Sequence, residues 1–361
     1  MTTAAAMPAM ATEWAECLLP PAEMPPALAR EIKALVGTNP GFAPRLAHAP
    51  WVVRAIARQI DDAPAYLSDR VDERIGLVVA QENSCRYCYG MHRALLRVAG
   101  RSERDIDRIV RDSLVADLSP TERAAVEYAR RVARCNPRPG RAELRALEAA
   151  GVDPRAAIEV VTGAAFSSFV NRISTFAALP PEPLEALTKA PYFALIRPLI
   201  ARGFRRRARP PVAAPEPRDP YARVVALLGD SRAAHLARAT IDDAMASPIL
   251  PGRTKALIMV VVARALDCRY GEGEARALLA REQFASADVD EVLATLASPR
   301  LDAREARLVP FARETVRYQP AVIQSRVRDV FRDLGPAEAA EAIGIAALAN
   351  AVCRLTVALD A

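Results

Sequence analysis

The chain is poor in cysteine, glycine and aromatic residues, and these shortages narrow the class of protein. Its 361 residues include 6 cysteines, 15 glycines and 5% aromatics. Six cysteines are too few for a secreted scaffold held together by disulfides in a chain of this length. Hydrophobic residues make up 52% of the sequence, with Ala, Leu and Val prominent, which favours helix over strand or disorder. We therefore expect an all-α fold.

Signals for export or membrane insertion are also lacking. The N-terminal stretch MTTAAAMPAMATEWAEC has neither the basic start nor the continuous apolar core of a secretory signal. No run reaches about 18 uncharged apolar residues, the length that a membrane-spanning helix requires. We expect a cytoplasmic protein with no membrane partner.

Positive charge is in slight excess but is not concentrated over most of the chain. The 49 basic and 43 acidic residues give a net charge of +6, and the two signs are interleaved. This pattern is typical of solvated helix surface and predicts no nucleic-acid partner. The exception is 197–211, RPLIARGFRRRARPP, whose six arginines could form a patch for phosphate, nucleic acid or a membrane. Several prolines follow at once, so a basic linker is the simpler interpretation.

One segment of the chain occurs twice. Residues 85–96, CRYCYGMHRALL, and residues 268–279, CRYGEGEARALL, are identical at eight of twelve positions and lie 183 residues apart. Glu122 and Glu305 keep the same spacing. We interpret the chain as a tandem duplication of one helical unit, with a single spacing from about residue 68 to the C-terminus. The predicted organisation is an N-terminal domain over 1–189, an Arg/Pro-rich linker over 190–219 and a C-terminal domain over 220–361.

Apolar periodicity and start signals predict the helices of the first copy. The Ser119-Pro120-Thr121-Glu122 sequence, for example, predicts a helix start with a capping box. The predicted helices cover 26–37, 50–62, 69–82, 84–98, 103–113, 120–134, 140–149 and 154–177.

The two copies differ most at chemically reactive residues. Leucines of the repeated segment persist, whereas three polar or reactive side chains do not. The replacements are Cys88 by Gly271, His92 by Ala275 and Glu73 by Ala256. Core-filling side chains would be replaced by apolar ones of similar size, because shrinking a buried side chain costs roughly 1 to several kcal/mol. We infer that the first copy carries a site that the second copy has lost.

The reactive residues can meet at one small volume. Cys85, Cys88 and His92 have the spacing i, i+3, i+7, which places them on one face of a helix. Asn83 or Ser84 is the predicted N-cap, so the cysteines would lie where free N–H groups and the helix dipole stabilise a thiolate. Glu73 lies on the preceding predicted helix and must reach the thiols by packing between helices.

Three interpretations of this group compete. The cysteines could be buried packing residues, but packing does not explain the joint loss of Cys88, His92 and Glu73. The group could bind zinc or iron with a carboxylate as the fourth ligand, although three ligands on one helix face fit a tetrahedral site poorly. The third interpretation, a redox dithiol with no metal, is the one we favour.

The remaining cysteines carry no predicted chemistry. Cys17, Cys135 and Cys353 have no close partner in the sequence, so we expect them to be buried and inert. Cys268 matches Cys85, but Gly271 stands where its partner would be, so we expect no redox pair there.

At these residues the chain resembles the AhpD-like alkylhydroperoxidase family, a branch of the carboxymuconolactone decarboxylase superfamily. The family signature is a glutamate, eleven residues, then C-x-x-C-x-x-x-H, which here is Glu73, Cys85, Cys88 and His92. The resemblance covers roughly residues 45 to 180. The best-known AhpD enzymes carry a histidine where this chain has Tyr87.

The resemblance implies two tandem AhpD-like helical domains that form an intrachain pseudo-dimer, with the first domain active, the second degenerate, and the chain a homo-oligomer. It implies a thiol-dependent peroxidase in which Cys88 attacks a hydroperoxide, Cys85 resolves the product as a disulfide, and His92 and Glu73 assist. No bound cofactor is expected, because an external dithiol or protein reductant restores the thiols. The dithiol could instead reduce a partner peroxidase. A decarboxylase-like lyase and a redox-sensing protein without turnover are the alternatives.

Overall fold

The computed structural model describes residues 16–62, 64–111, 118–203 and 212–360, and these residues form nineteen helices and no strand. The predicted all-α class is therefore confirmed. The helices of the first part of the chain are α1 (Pro26–Val36), α2 (Phe42–Leu46), α3 (Pro50–Asp61), α4 (Asp69–Glu82), α5 (Arg86–Val98), α6 (Glu103–Arg111), α7 (Pro120–Arg134), α8 (Arg141–Ala149), α9 (Pro154–Phe176), α10 (Pro183–Leu187) and α11 (Phe193–Gly203).

The second part of the chain continues with eight helices in the described residues. They are α12 (Ala222–Leu227), α13 (Arg232–Ala246), α14 (Gly252–Ala265), α15 (Arg269–Arg281), α16 (Ser286–Thr295), α17 (Ala303–Glu314), α18 (Pro320–Val330) and α19 (Pro336–Leu359).

The predicted helices of the first copy agree with α1 and α3 to α9 within two residues, except that 112 and 113 lie outside the described residues. The capping box at the start of α7 is present, since the Ser119 side chain accepts from the Glu122 N–H and the Glu122 carboxylate accepts from the Ser119 N–H. The short helix α2 has no counterpart in the prediction. Five residues are too few to produce a clear apolar period.

Helix positions in the two copies correspond closely. Helices α14 and α15 begin 183 residues after α4 and α5, at Gly252 and Arg269. The connection before α5 and the one before α15 also share a left-handed residue, Ser84 with φ 49° and Asp267 with φ 51°. The spacing is not constant, because α19 begins 182 residues after α9, so the expectation of a single spacing to the C-terminus is wrong by one residue. These correspondences agree with a duplication, which remains our interpretation.

The long helices α9 and α19, which correspond in the two copies, lie at the centre of the protein. Helices α9 and α19 pack against each other, α9 also contacts α4 and α7, and α19 also contacts α14. Among the described residues, α19 alone has the length and apolar composition of a membrane span, and its apolar stretch is fully buried inside the protein.

Buried arginines join the two copies. The Arg172 Nε and Nη2 atoms donate to the Thr315 and Val316 carbonyls at 3.0 and 3.1 Å, and the Arg354 Nε donates to the Ala133 carbonyl at 3.1 Å. Because a buried guanidinium needs partners to offset its desolvation, these carbonyls fix each central helix against the other copy.

The stretch predicted as a linker contains ordered structure. Helix α11 lies inside 190–219 and contacts α5. Residues 204–211, which hold much of the arginine cluster, lie outside the described residues, as do residues 1–15 of the predicted first domain.

Candidate active site

The connection between α4 and α5 positions the two cysteines. After Ser84 in the left-handed region, Cys85 takes an extended conformation and is itself the N-cap of α5. Its Sγ accepts the backbone N–H of Cys88, three residues on, at 3.4 Å. The predicted N-cap, Asn83 or Ser84, is therefore wrong. The sulfur fills the role of the usual capping oxygen and receives a free N–H of the first turn directly.

This geometry polarises the pair of thiols. Burial raises the pKa of Cys85, but hydrogen bonds from the Cys88 thiol and backbone outweigh it, so the pKa lies below the ordinary value of 9.0. Burial raises the pKa of Cys88 well above that value, and the neighbouring Cys85 raises it further. The negative charge of the dithiol therefore belongs on Cys85, whereas the sequence interpretation gives it to Cys88. Cys85 is fully buried and Cys88 is 5% exposed.

Asn83 holds the connection in place from inside the protein. Its side-chain amide donates to the Val79 carbonyl and to Ser168 and Asn171 on α9, at 3.1 to 3.2 Å. Its backbone carbonyl accepts from the Tyr318 hydroxyl at 3.0 Å. Tyr318 belongs to the second copy, so that copy contributes directly to the support of the dithiol.

His92 and Glu73 meet between α4 and α5. The His92 Nδ1 and a Glu73 carboxylate oxygen lie 3.0 Å apart, with the two side chains 23% and 14% exposed. With Nδ1 held by the carboxylate, Nε2 remains able to exchange a proton.

Gly76 makes room for this histidine, and the sequence interpretation missed it. A Cβ built on Gly76 would lie 2.2 Å from the His92 Cε1 and 2.5 Å from its Nε2. The equivalent position in the second copy is Met259, and Ala275 stands at the position of His92; both residues are buried. A small residue and a large one exchange places between the copies: Gly76 and His92 in the first correspond to Met259 and Ala275 in the second. This paired change is visible in the sequence and could have indicated that Gly76 makes room for His92.

The Tyr87 hydroxyl pairs with a carboxylate and not with the thiols. Its hydroxyl donates to a Glu182 carboxylate oxygen at 2.7 Å, and the same carboxylate accepts the N–H groups of Gly41 and Phe42 at the start of α2. Burial and then the Glu182 charge raise the pKa of Tyr87 well above 10.0, so the hydroxyl stays protonated.

The second copy contains a cysteine pair that the sequence did not predict. The Cys268 and Cys353 sulfurs both lie 3.0 Å from the position of a Cβ built on Gly271, so Cys353 has a close partner in the fold that the sequence did not indicate. Cys353 lies on α19, far from Cys268 in the sequence but beside it in the fold.

The described residues contain no group of three or more His, Cys, Asp or Glu side chains suited to hold a metal ion. The first copy instead assembles a buried dithiol at the N-terminus of α5, and a histidine–carboxylate pair lies between α4 and α5. This arrangement fits proton-coupled thiol chemistry.

A sequence model of the Carboxymuconolactone decarboxylase family matches residues 50–131. The match runs from the start of α3 into α7, and the matched range includes Glu73, Cys85, Cys88 and His92. Searches of curated proteins and of solved structures give no significant match. The predicted resemblance to the superfamily is thereby confirmed for this segment, and the duplication remains an interpretation.

Proposed function

We propose that the protein is a thiol-dependent peroxidase of the alkylhydroperoxidase type, which reduces hydroperoxides through a Cys85–Cys88 dithiol and disulfide. The observation that carries this proposal is the helix-capping Cys85 sulfur, which accepts the Cys88 backbone N–H at 3.4 Å and whose pKa the neighbouring Cys88 thiol lowers. A dithiol in which the pKa of one sulfur is lowered has the reactivity that peroxide reduction needs.

The two cysteines have different tasks in the proposed cycle. Cys88 is the less buried of the two residues, at 5% against 0% exposed, and the Cys85 thiolate acts as the base that takes its proton. The Cys88 sulfur bonds to the distal peroxide oxygen as the O–O bond breaks, which leaves a sulfenic acid on Cys88. Cys85 then attacks that sulfur, a disulfide forms, and the sulfenic hydroxyl leaves as water with the Cys85 proton.

His92 supplies the proton for the other peroxide oxygen. Glu73 accepts from Nδ1 of the imidazolium, so the Nε2 proton passes to the leaving oxygen, which departs as an alcohol or as water. Two thiols thus lose two electrons and one hydroperoxide gains them. An external dithiol restores the pair by thiol–disulfide exchange, and no bound cofactor takes part.

The proposal is tested by peroxide consumption with dithiothreitol or dihydrolipoamide as the electron donor. We expect Cys88→Ser to lose turnover and His92→Ala to lose about 10²- to 10⁴-fold, the range of general acid–base catalysis. Cys17→Ser is the matched control, because Cys17 lies outside the site and has a pKa raised by burial. Turnover in Cys88→Ser or His92→Ala that equals the wild type would overturn the proposal.

The order of the two roles is tested in the same variants. On prolonged exposure to excess peroxide, Cys85→Ser should slowly accumulate a sulfenic acid on Cys88 that dimedone traps, because this variant lacks both the base that speeds the attack and the thiol that resolves the product. Cys88→Ser should carry none. Dimedone labelling of Cys85 in Cys88→Ser would reverse the roles while leaving the dithiol cycle intact.

A further inference from the structure

The second copy repeats the cap of the first with one cysteine fewer. Cys268 is the N-cap of α15, and its Sγ accepts the Gly271 N–H at 3.4 Å, the same distance as in the Cys85 cap. The second cysteine of the C-x-x-C motif is absent, since Gly271 stands at the position of Cys88.

Cys353 reaches the vacated space from α19. A Cβ built on Gly271 would lie 3.0 Å from the Cys268 Sγ and 3.0 Å from the Cys353 Sγ, so both sulfurs border the volume that a side chain at 271 would occupy. The residue equivalent to Cys353 in α9 is Asn171, whose side chain lies against the Cys88 thiol. The second copy has therefore moved its second thiol from the capped helix to the central helix.

This pair is polarised in the same way as the first. The hydrogen bond from the Cys353 thiol lowers the pKa of Cys268, against the effect of burial. The same bond, together with burial, raises the pKa of Cys353 well above 9.0. The two side chains are 2% and 1% exposed, so only a small oxidant can reach them without local opening.

Packing alone does not explain this arrangement. An apolar side chain at 353 would fill the space beside Gly271 without burying a second thiol against Cys268. Cys268 and Arg354 lie close enough to Cys135 to shift its pKa. Cys135, Cys268 and Cys353 nevertheless do not form a group suited to hold a metal ion. Two thiols on different helices that border the same small volume are instead suited to become a disulfide.

We propose that Cys268 and Cys353 form a second redox-active dithiol, which a small hydroperoxide oxidises to a disulfide that links the start of α15 to α19. Cys268 attacks the distal peroxide oxygen as a thiolate, the O–O bond breaks, and Cys268 becomes a sulfenic acid while the other oxygen takes a proton from water as it leaves. The Cys353 thiol attacks the sulfenic sulfur, the S–S bond forms, and water leaves with the Cys353 proton. Two thiols are oxidised, and one hydroperoxide is reduced to water and an alcohol, or to two waters when it is hydrogen peroxide.

The second dithiol differs from the first in having no proton donor beside it. The equivalents of His92 and Glu73 are Ala275 and Ala256. We therefore expect its oxidation to be about 10² or more times slower than that of Cys85, and to proceed once per chain as a switch or lock rather than in turnover.

The experiment uses the full-length Cys85→Ser/Cys88→Ser double variant, which leaves Cys17, Cys135, Cys268 and Cys353. The folded protein is treated with hydrogen peroxide, its remaining thiols are alkylated, and it is digested with trypsin. We expect loss of two free thiols and a disulfide joining peptide 265–269, ALDCR, to peptide 333–354, which ends in AVCR. Dithiothreitol should reverse both changes.

A variant of the pair and a control variant elsewhere in the chain test whether the link is specific. Cys353→Ser should abolish the link, whereas Cys17→Ser should leave it unchanged. The same two peptides can be followed in the wild-type protein, so the test does not depend on the folding of the double variant. Failure of Cys268 to lose its free thiol, or a link from Cys268 to Cys135 instead of Cys353, would overturn the proposal, and neither outcome depends on the Cys85–Cys88 cycle.

Discussion

At the scale of single residues, the site depends on a side chain that is missing. Gly76 lets the imidazole of His92 lie across α4 on its way to Glu73, and any larger residue would displace it. Met259 and Ala275 occupy the equivalent space in the second copy, where no histidine is present. The glycine is thus a positioning residue for the proton donor.

Gly76→Ala should therefore reduce activity with little loss of stability. The new methyl group would meet the imidazole at 2.2 Å, and a partly exposed ring can swing away at low cost. In a helix interior, alanine is favoured over glycine by up to about 1 kcal/mol. We expect kcat/KM for peroxide to approach that of His92→Ala, with the thermal midpoint nearly unchanged.

The matched control is Gly163→Ala on α9. A Cβ there would make only ordinary contacts, 3.8 Å from Asp72 and 3.9 Å from Ile75, so activity should stay at the wild-type level. Equal activity of Gly76→Ala and wild type would contradict the positioning role of Gly76.

Much of the site could be predicted from spacing, and the rest depended on contacts between distant segments. The C-x-x-C-x-x-x-H spacing placed Cys85, Cys88 and His92 together because all three lie within two helical turns. The cap was misplaced because the chain turns at Ser84, whose left-handed backbone no local signal indicated. Cys353 was missed because 85 residues separate it from Cys268, and only the packing of α19 brings the two sulfurs together.

At the scale of helices, the two copies meet where α19 crosses α3. A Cβ on Gly344 would lie 2.7 Å from the Val52 Cγ2 and 2.8 Å from the Trp51 Cζ2. Trp51 is 2% exposed, and its indole N–H donates to Glu341 one turn earlier on α19. Neither neighbour can move freely, so the close approach of the helices requires glycine at 344.

Gly344→Ala should destabilise the protein by about 1 to 3 kcal/mol, the usual cost of overpacking a filled core. Gly273→Ala on α15 is the matched control, because a Cβ there would meet nothing within 4 Å and should stabilise the helix by up to about 1 kcal/mol. Urea denaturation with unchanged m-values provides the measurement. Equal midpoints for the two variants would contradict the contact between α19 and α3.

Helix starts were the most predictable feature at this scale. Helices α4 and α7 have the predicted bounds because Ser68 and Ser119 cap their first turns and charged residues define their exposed faces. Helix α9 and helix α19 bury nearly all of their surfaces, so amphipathic periodicity carries little information about their neighbours. Their central position emerges only from the three-dimensional packing.

At the scale of the whole molecule, the second copy supports the structure of the first and lacks the equivalents of His92 and Glu73. Arg172 of the first copy donates to a carbonyl of the second copy, and Arg354 of the second copy donates to a carbonyl of the first. The Tyr318 hydroxyl of the second copy donates to the carbonyl of Asn83, next to the dithiol. From the duplication and these contacts we propose that the two copies form an intrachain pseudo-dimer. This arrangement explains why the second copy keeps its packing residues although it lacks the equivalents of His92 and Glu73.

The central claim is that the first copy reduces peroxide through a disulfide between Cys85 and Cys88. The most direct measurement treats the reduced wild-type protein with one equivalent of hydrogen peroxide, alkylates it and digests it with trypsin. Cleavage after Arg86 separates the cysteines into peptides 75–86 and 87–93. We predict that peroxide consumption is matched by a disulfide joining these two peptides, while Cys17 remains alkylated. Peroxide consumed with both Cys85 and Cys88 still alkylated would contradict the account.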